Sequence, residues 1–192
     1  MKLSPENIYH IYNRGNNKQK IFFTGKNYTF FLQKLRTELR TFSDIICYCL
    51  MPNHFHLLVS TFGNFSEEGF SNGFKTLLSS YTKAVNKQES RTGSLFQQNS
   101  RAKCLTAISN YKQNNYGLVC FNYIHQNPVN AGLVRSLEDW EFSSYRDYAG
   151  LRNGSLCSKE TAYEIIGIPK DKGEFVKLSL EMIDYRKLSK IL

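Results

Sequence analysis

Two histidines separated by one residue, His54 and His56, are a pair whose type and spacing point directly to chemistry. Both lie in a predicted β-strand over residues 54–60, on which residues two apart point to the same face. Both imidazoles then leave one face of a sheet, while Phe55 and Leu57 enter the other. Two imidazoles in this arrangement can share one divalent metal ion. The alternative is two histidines on an open sheet surface, since an H-x-H motif alone is weakly specific.

A tyrosine and an asparagine, Tyr123 and Asn127, lie four residues apart in a segment with helical periodicity. At this spacing they share one helix face. A phenol with a pKa of about 10 is a poor nucleophile unless its electrophile is activated, and a metal ion that polarises a phosphate oxygen provides that activation. Attack on phosphorus would give a phosphotyrosine ester. The alternative is a core aromatic, because a second apolar stripe leaves open which face meets the sheet. His125 points roughly the other way and is interpreted as structural.

The elements that must position these groups follow the order β-α-β-β-α-β-α. We predict strands over residues 8–13, 45–50, 54–60 and 95–105, and helices over 27–41, 70–85 and 107–125. The last helix is expected to stop near Asn127, because Pro128 disfavours a helical conformation in its predecessor. This order predicts an α+β fold, a ferredoxin-like or RRM-like split βαβ sandwich. Its antiparallel sheet carries helices on one face and leaves the other free for a ligand. Residues 151–192 are predicted to form an appended helical tail.

Composition narrows the function classes. The 192 residues include 25 Lys and Arg against 16 Asp and Glu, a net charge of +9, and 14% are aromatic. This balance is typical of proteins that bind nucleic acid, with bases stacking on rings and phosphates meeting cations. A basic protein with an aromatic-rich core is the alternative. The longest apolar run, 45–51, is far shorter than the roughly 20 residues of a membrane span, and no signal region is visible. Five scattered cysteines predict reduced thiols and a cytoplasmic location.

Five segments, taken together and in order, resemble the REP-associated tyrosine transposases, which are single-tyrosine HUH transposases with an IS200-like transposase domain. The segments are 9–15 (YHIYNRG), 49–59 (CLMPNHFHLLV), 93–97 (GSLFQ), 123–134 (YIHQNPVNAGLV) and 140–145 (WEFSSY). The resemblance runs from about residue 7 to about residue 148. It implies a ferredoxin-like catalytic domain over residues 1–150 that cuts and joins single-stranded DNA with a divalent metal and without ATP.

The resemblance also implies residue roles. His54 and His56 match the metal-binding histidines of the HUH motif, and Asn127 matches the polar residue that completes the metal site. Tyr123 matches the nucleophile that becomes attached to a DNA 5′ phosphate. Mg²⁺ or Mn²⁺ fits such mixed nitrogen and oxygen ligands, and Mn²⁺ tolerates imidazole better. Residues 98–103 depart from the pattern, because relatives tend to show an Arg-aromatic-Lys run there.

The basic residues near the first strand and the later loop are hypothesised to hold the DNA backbone. They are Arg14, Lys18, Lys20, Lys87, Arg91, Arg101 and Lys103. Phosphate contacts of this kind position a strand without reading its sequence. Each of these residues alone is about as consistent with an ordinary solvated charge. The expected partner is single-stranded DNA with hairpin or palindromic elements, with no membrane. A monomer is favoured over a dimer that exchanges the tyrosine helix.

The leading hypothesis is a DNA transposase: a metal-dependent endonuclease and strand transferase that uses a 5′-phosphotyrosine intermediate. The alternative is a non-catalytic RRM-like protein that binds single-stranded nucleic acid by stacking. A plasmid relaxase or replication initiator is a third possibility, disfavoured by the short chain, the absent helicase domain and the Tyr-x₃-Asn-Pro sequence. Metal binding by His54 and His56 would separate the first two hypotheses.

Overall fold

A four-stranded antiparallel sheet organises the chain. The computed structural model describes residues 2–192, apart from the side chain of Tyr185. The strands are β1 (Ile8–Arg14), β2 (Ser43–Met51), β3 (His54–Thr61) and β4 (Arg101–Cys104). They lie in the order β2-β3-β1-β4, and every neighbouring pair is antiparallel. One helical crossover joins β1 to β2 and a second joins β3 to β4, which is the split βαβ arrangement. The predicted α+β ferredoxin-like fold is confirmed.

Two long helices, α1 (Gly25–Leu39) and α2 (Glu67–Gln88), cover one face of the sheet. Their inward side chains form an aromatic core with the odd-numbered residues of β3. The ring of Phe55 lies 5.1 Å from that of Phe31, centroid to centroid. Tyr81 is fully buried, and its hydroxyl donates to the carbonyl of Ile21 at 2.6 Å. This bond pairs the buried hydroxyl, as buried polar atoms require.

Side-chain caps at the two helix starts explain where α1 and α2 begin. Thr24 and Asn27 form a capping box at the first turn of α1. At α2, the hydroxyl of Ser66 accepts from the backbone N–H of Gly69 at 3.0 Å. Each cap satisfies backbone donors that a helix end leaves unpaired.

The remaining helices follow β4. They are α3 (Tyr111–Asn114), α4 (Tyr116–Asn130), α5 (Tyr145–Tyr148), α6 (Lys159–Thr161), α7 (Lys172–Ser179) and α8 (Tyr185–Ile191), with 3₁₀ turns at Asn16–Lys18 and Leu137–Asp139 and a π turn at Ala162–Ile166. Helix α4 contacts β2 and β3. It lies on the face opposite α1, because Phe55 meets α1 while the next residue, His56, meets Tyr123 of α4. The expectation that helices cover one face only is therefore corrected: α4 occupies part of the face that we expected to be free.

The predicted helix over 107–125 begins later than expected. Asn110 and Asn115 adopt left-handed backbone conformations, with φ of 59° and 47°. Asparagine tolerates this region better than most residues. The chain therefore forms the single turn of α3 and then starts α4 afresh, with the Asn115 side chain accepting from the N–H of Leu118 at 3.3 Å.

The same helix also ends later than expected. Instead of stopping near Asn127, α4 passes through Pro128 and ends at Asn130. Proline removes only its own N–H, and the last turn is closed by a bond from the N–H of Ala131 to the carbonyl of Asn127 at 2.9 Å. Packing of α4 against the sheet compensates for the conformational preference of the residue before proline.

Of the predicted strand over 95–105, only the last part, β4, is a strand in the structure. The ladder with β1 covers β4 alone, and Phe96 adds one isolated bridge to Gly15. Around this bridge, the N–H of Gln97 donates to the carbonyl of Arg14 at 2.9 Å. The segment between is irregular, which agrees with its weak alternation.

The segment after residue 155 is helical, as predicted, and it packs closely on α4. The rings of Phe121 and Phe175 lie 6.2 Å apart. The amide of Asn122 donates to the carbonyl of Leu178 at 3.0 Å. All five cysteines are free thiols. Across residues 2–192, the helices are too short or too polar to cross a membrane. The division of the chain near residue 150 stays a prediction.

Candidate metal and nucleophile site

The strand register places the two histidines beside a basic edge of the sheet. His56 on β3 lies opposite Tyr12 on β1, which in turn lies opposite Arg101 on β4. One pleat along, His54 lies opposite Arg14. Because residues two apart on a strand share a face, all five side chains start from the same face of the sheet. The two imidazole centroids are 5.0 Å apart.

Helix α4 brings a tyrosine to this pair. The half-buried ring of Tyr123 lies 5.4 Å from the ring of His56, at an interplanar angle of 78°. Asn127, one turn later, donates through Nδ2 to the backbone carbonyl of Tyr123 at 3.0 Å. Its side chain also interacts with the side chains of both His54 and Tyr123. The structure thus brings together all four residues that the sequence assigned to metal binding and nucleophilic attack, within one chain.

A cavity of about 450 Å³ opens at this point. His54, His56 and Tyr123 line it, together with three of the predicted DNA-binding residues, Arg14, Lys18 and Arg101. Of the other cations in that prediction, Lys103 starts from the same sheet face, opposite His10.

Four of the seven predicted cations, Lys103 among them, do not line this cavity. Within the described part of the chain, Lys20, Lys87 and Arg91 lie outside its lining. A larger cavity of about 1130 Å³ lies towards the other end of β3, near Ser60, and contains none of the predicted site residues.

Hydrogen bonds to Nδ1 of each ring define which nitrogens are free. His54 Nδ1 lies 2.7 Å from Oδ1 of Asn53, and Nδ2 of Asn53 donates to the carbonyl of Lys18 at 3.3 Å. An amide oxygen only accepts, so Nδ1 of His54 carries the proton and Nε2 keeps its lone pair. In His56 the bonded atom is again Nδ1, which lies 2.9 Å from Nε2 of His10.

The protonation states of the site follow from burial. Burial lowers the pKa of His54, an effect that Asn127 opposes and the charge of Arg14 reinforces. Burial likewise lowers the pKa of His56, with smaller contributions from His10 and His54. Both rings are therefore neutral at pH 7, which is the form that binds metals. Burial raises the pKa of the Tyr123 hydroxyl, although its contact with Asn127 opposes the shift. The phenol is protonated at rest.

The donor set fits a divalent cation that accepts nitrogen ligands. Nε2 of each histidine is left for a ligand, and Oδ1 of Asn127 is left because Nδ2 is engaged. No group of three or more His, Cys, Asp and Glu side chains is placed to hold a metal ion among the residues that the structure describes. The candidate set is instead two imidazoles and one amide oxygen. Without a carboxylate it suits Mn²⁺ better than Mg²⁺.

Two residues of the site carried no assigned role in the sequence. His10 and Tyr12 alternate with Arg14 on β1, and this period of two was the available signal. The hydroxyl of Tyr12 donates to the main-chain oxygen of Leu192 at 2.7 Å, a contact that no local pattern indicates. His125 lies away from the cavity, as expected: it is buried, with Nε2 at 2.8 Å from the hydroxyl of Ser144.

The fold and the site together define a ferredoxin-like domain whose covered sheet face holds two imidazoles and a phenol at one cavity. Among solved structures, the chain is similar to a REP-associated tyrosine transposase bound to a REP hairpin. The TM-score is 0.59 at 16% sequence identity, and the match covers 82% of this chain and 88% of the other. This likeness confirms at the level of the fold the resemblance seen in the sequence. No protein-family model matches the sequence, and neither does any curated protein.

Proposed function

We propose that this protein is a metal-dependent tyrosine transposase of the HUH type, which cleaves and rejoins single-stranded DNA at hairpin or palindromic ends. The observation that carries the proposal is the approach of the Tyr123 ring to within 5.4 Å of His56, in the cavity that His54 also lines. The fold shared with a transposase bound to a DNA hairpin adds support. A cytoplasmic location, consistent with the five free thiols, belongs to the same proposal.

Tyr123 is the nucleophile in this proposal. Its oxygen forms a bond to a backbone phosphorus, and the bond from that phosphorus to the O3′ of the preceding nucleotide breaks. The phenol releases its proton and the departing O3′ takes one up. One ester replaces another, so no ATP is needed. In the reverse sense, a free 3′ hydroxyl attacks the phosphotyrosine and regenerates the phenol. Since burial raises the pKa of Tyr123, the electrophile must be activated.

His54, His56 and Asn127 would hold the cation through Nε2, Nε2 and Oδ1. When bound, a divalent cation polarises the phosphate and stabilises the charge that develops on it. Asn127 also fixes α4 locally through its bond to the carbonyl of Tyr123. It thereby keeps the nucleophile and the cation ligands in register.

Arg14, Lys18 and Arg101 are proposed to hold the DNA backbone at the cavity. Lys20, Arg91 and Lys103 would extend the path of the strand over the adjoining surface. Since one chain supplies the histidines and the tyrosine, we propose that the protein acts as a monomer.

The test is formation of a covalent DNA adduct. The purified protein is incubated with a labelled library of single-stranded hairpins, randomised in the stem and in the flanking nucleotides, with Mn²⁺ or with chelator. We expect an adduct that survives denaturation and depends on Mn²⁺. Tyr123→Phe should abolish it, and mass spectrometry of the native adduct should place the nucleotide on Tyr123. Tyr116→Phe, a buried tyrosine on the same helix, is the matched control and should retain the adduct.

Other outcomes would point elsewhere. An adduct mapped to Tyr12, which also lines the cavity, would reassign the nucleophile. Hairpin binding with no adduct and no Mn²⁺ uptake would favour the RRM-like binding protein. That alternative needs an open aromatic sheet face, and α4 covers part of the face in question here.

A further inference from the structure

A third histidine is buried behind the site. His10 lies in the middle of β1 with no solvent exposure, and His56 is 5% exposed. The two rings stack, with centroids 5.0 Å apart at an interplanar angle of 24°. His10 uses both nitrogens: Nδ1 lies 2.9 Å from the carbonyl oxygen of Ile191, and Nε2 lies 2.9 Å from Nδ1 of His56.

The direction of both hydrogen bonds can be worked out. The hydrogen-bond partners of His10 and His56 carry no negative charge, and burial without an anion favours neutral rings. The carbonyl of Ile191 only accepts, so Nδ1 of His10 carries the proton. Nε2 of His10 then holds a lone pair and accepts from Nδ1 of His56. Neutral His56 is left with its lone pair on Nε2.

We propose that His10 is a positioning residue that fixes the ring nitrogen through which His56 binds the metal. A ring with its proton on Nε2 has no lone pair there for a cation. An acceptor behind Nδ1 excludes that tautomer and also fixes the orientation of the ring. The metal-binding part of this inference rests on the proposed function.

The neighbouring histidine has the same arrangement built from different residues. Nδ1 of His54 donates to Oδ1 of Asn53, whose own amide donates to the carbonyl of Lys18. In both cases a side chain accepts from Nδ1 and donates onward to a backbone carbonyl. The imidazole of His10 and the amide of Asn53 thus have the same role, which is to keep the proton of the neighbouring histidine on Nδ1.

The C-terminal helix takes part in this arrangement. The carbonyl that orients His10 belongs to the fully buried Ile191 at the end of α8. The main-chain oxygen of the adjacent Leu192 accepts from the hydroxyl of Tyr12. Helix α8 lies outside the part of the sequence that resembles the transposases, and it holds the rear of the site in place.

The experiment has two readouts. Long-range ¹⁵N NMR of the histidines in the metal-free native protein at pH 7.5 should show both His10 and His56 protonated on Nδ1. Calorimetry with Mn²⁺ then compares two variants. His10→Leu fills the space without an acceptor, and should put a proton on Nε2 of His56 and weaken Mn²⁺ binding about 10- to 100-fold. His10→Gln can accept from His56 and donate to Ile191, and should keep Mn²⁺ affinity within about threefold of native.

A matched control separates positioning from packing. His125→Leu removes another buried histidine, away from the cavity, and should leave both readouts unchanged. Native His56 protonated on Nε2 would overturn the inference, and this measurement needs no variant to fold. Equal Mn²⁺ affinity in native protein and folded His10→Leu would also overturn it. A third outcome is that the native protein shows the expected tautomers but does not bind Mn²⁺. This result would contradict the proposed function and would still support the inference that His10 fixes the tautomer of His56.

Discussion

The two faces of β3 meet opposite environments. Phe55 points into the aromatic layer beneath α1 and α2, where its ring lies 5.1 Å from Phe31 and 6.0 Å from Phe96. The next residue, His56, points to the other face, where its neighbours include the polar rings of His10 and Tyr123. One face is closed and apolar, whereas the other borders a cavity of about 450 Å³.

This difference separates stability from chemistry along a single strand. Close packing on the apolar face removes the most surface from water and supplies the larger share of folding free energy. The polar face places buried nitrogens and oxygens in directed hydrogen bonds, which contribute little net stability but define orientation. Substitutions on alternate residues of β3 should therefore have different consequences.

The largest effect is expected on the apolar face. Phe55→Ala should lower the free energy of unfolding by about 3–5 kcal/mol, because it leaves a cavity among rigid aromatic neighbours. His54→Ala, on the half-exposed edge of the other face, should cost no more than about 1 kcal/mol. Urea unfolding at pH 7.5 without metal measures both. Equal losses would contradict the separation of the faces.

The reverse contrast holds for metal binding. His56→Ala should weaken Mn²⁺ binding at least about 100-fold, because it removes one of two imidazole ligands. Leu57→Ala, on the apolar face, should leave the Mn²⁺ affinity within about threefold while lowering stability by about 2–5 kcal/mol. Calorimetry on both folded variants is the measurement. Comparable loss of Mn²⁺ affinity in Leu57→Ala would show that the site depends on the packing beneath it.

Much of this two-sided arrangement could be read from local patterns. Alternation on β3, the hairpin before it and the helical spacing of α1 and α2 are short-range signals, and they predicted the fold. The spacing of Tyr123 and Asn127 likewise placed both on one helix face. The role of His10 gave no such signal, because its partners are 46 and 181 residues away along the chain. Contacts of that separation depend on the completed fold.

The errors have equally specific causes. The sequence allows Asn110 and Asn115 either a helical or a left-handed conformation. In the structure both are left-handed, and α4 therefore begins as a separate helix. Pro128 disfavours helix locally, but α4 continues one more turn against the sheet. Apolar stripes on two sides of α4 do not indicate which side packs on the sheet. The sequence therefore does not predict that α4 covers part of the second sheet face. In each case tertiary packing selected among locally allowed conformations.

Helix α4 shows the same contrast on a smaller scale, because Tyr123 lines the cavity while His125 is buried away from it. The burial of His125 should make the stability of the protein depend on pH. Burial lowers the pKa of His125 to about 3, below the unfolded value of about 6.5. The unfolded state therefore binds the proton first, and stability falls as pH drops from about 6.5 towards 3, by about 1.4 kcal/mol per unit. His125→Leu should remove this contribution, so its stability relative to native should rise by about 2 kcal/mol between pH 7 and 5. Parallel urea-unfolding profiles for the two proteins across this range would contradict the assignment.

The smallest predicted effect concerns the exposed edge of the polar face. Arg101 is exposed on β4, lines the cavity and stands in the same row as Tyr12 and His56. If it contacts one phosphate, Arg101→Gln should reduce the slope of log affinity against log salt by about 0.7–0.9, with a modest loss of affinity. Lys83→Gln, an exposed cation on α2 beneath the apolar face, should leave the slope unchanged. Fluorescence anisotropy with the hairpin library, at a series of salt concentrations, gives both slopes. A phosphate contact at the cavity predicts a change of slope in Arg101→Gln alone. Equal changes of slope in the two variants would instead mean that the basic residues act on DNA through the net charge of the protein.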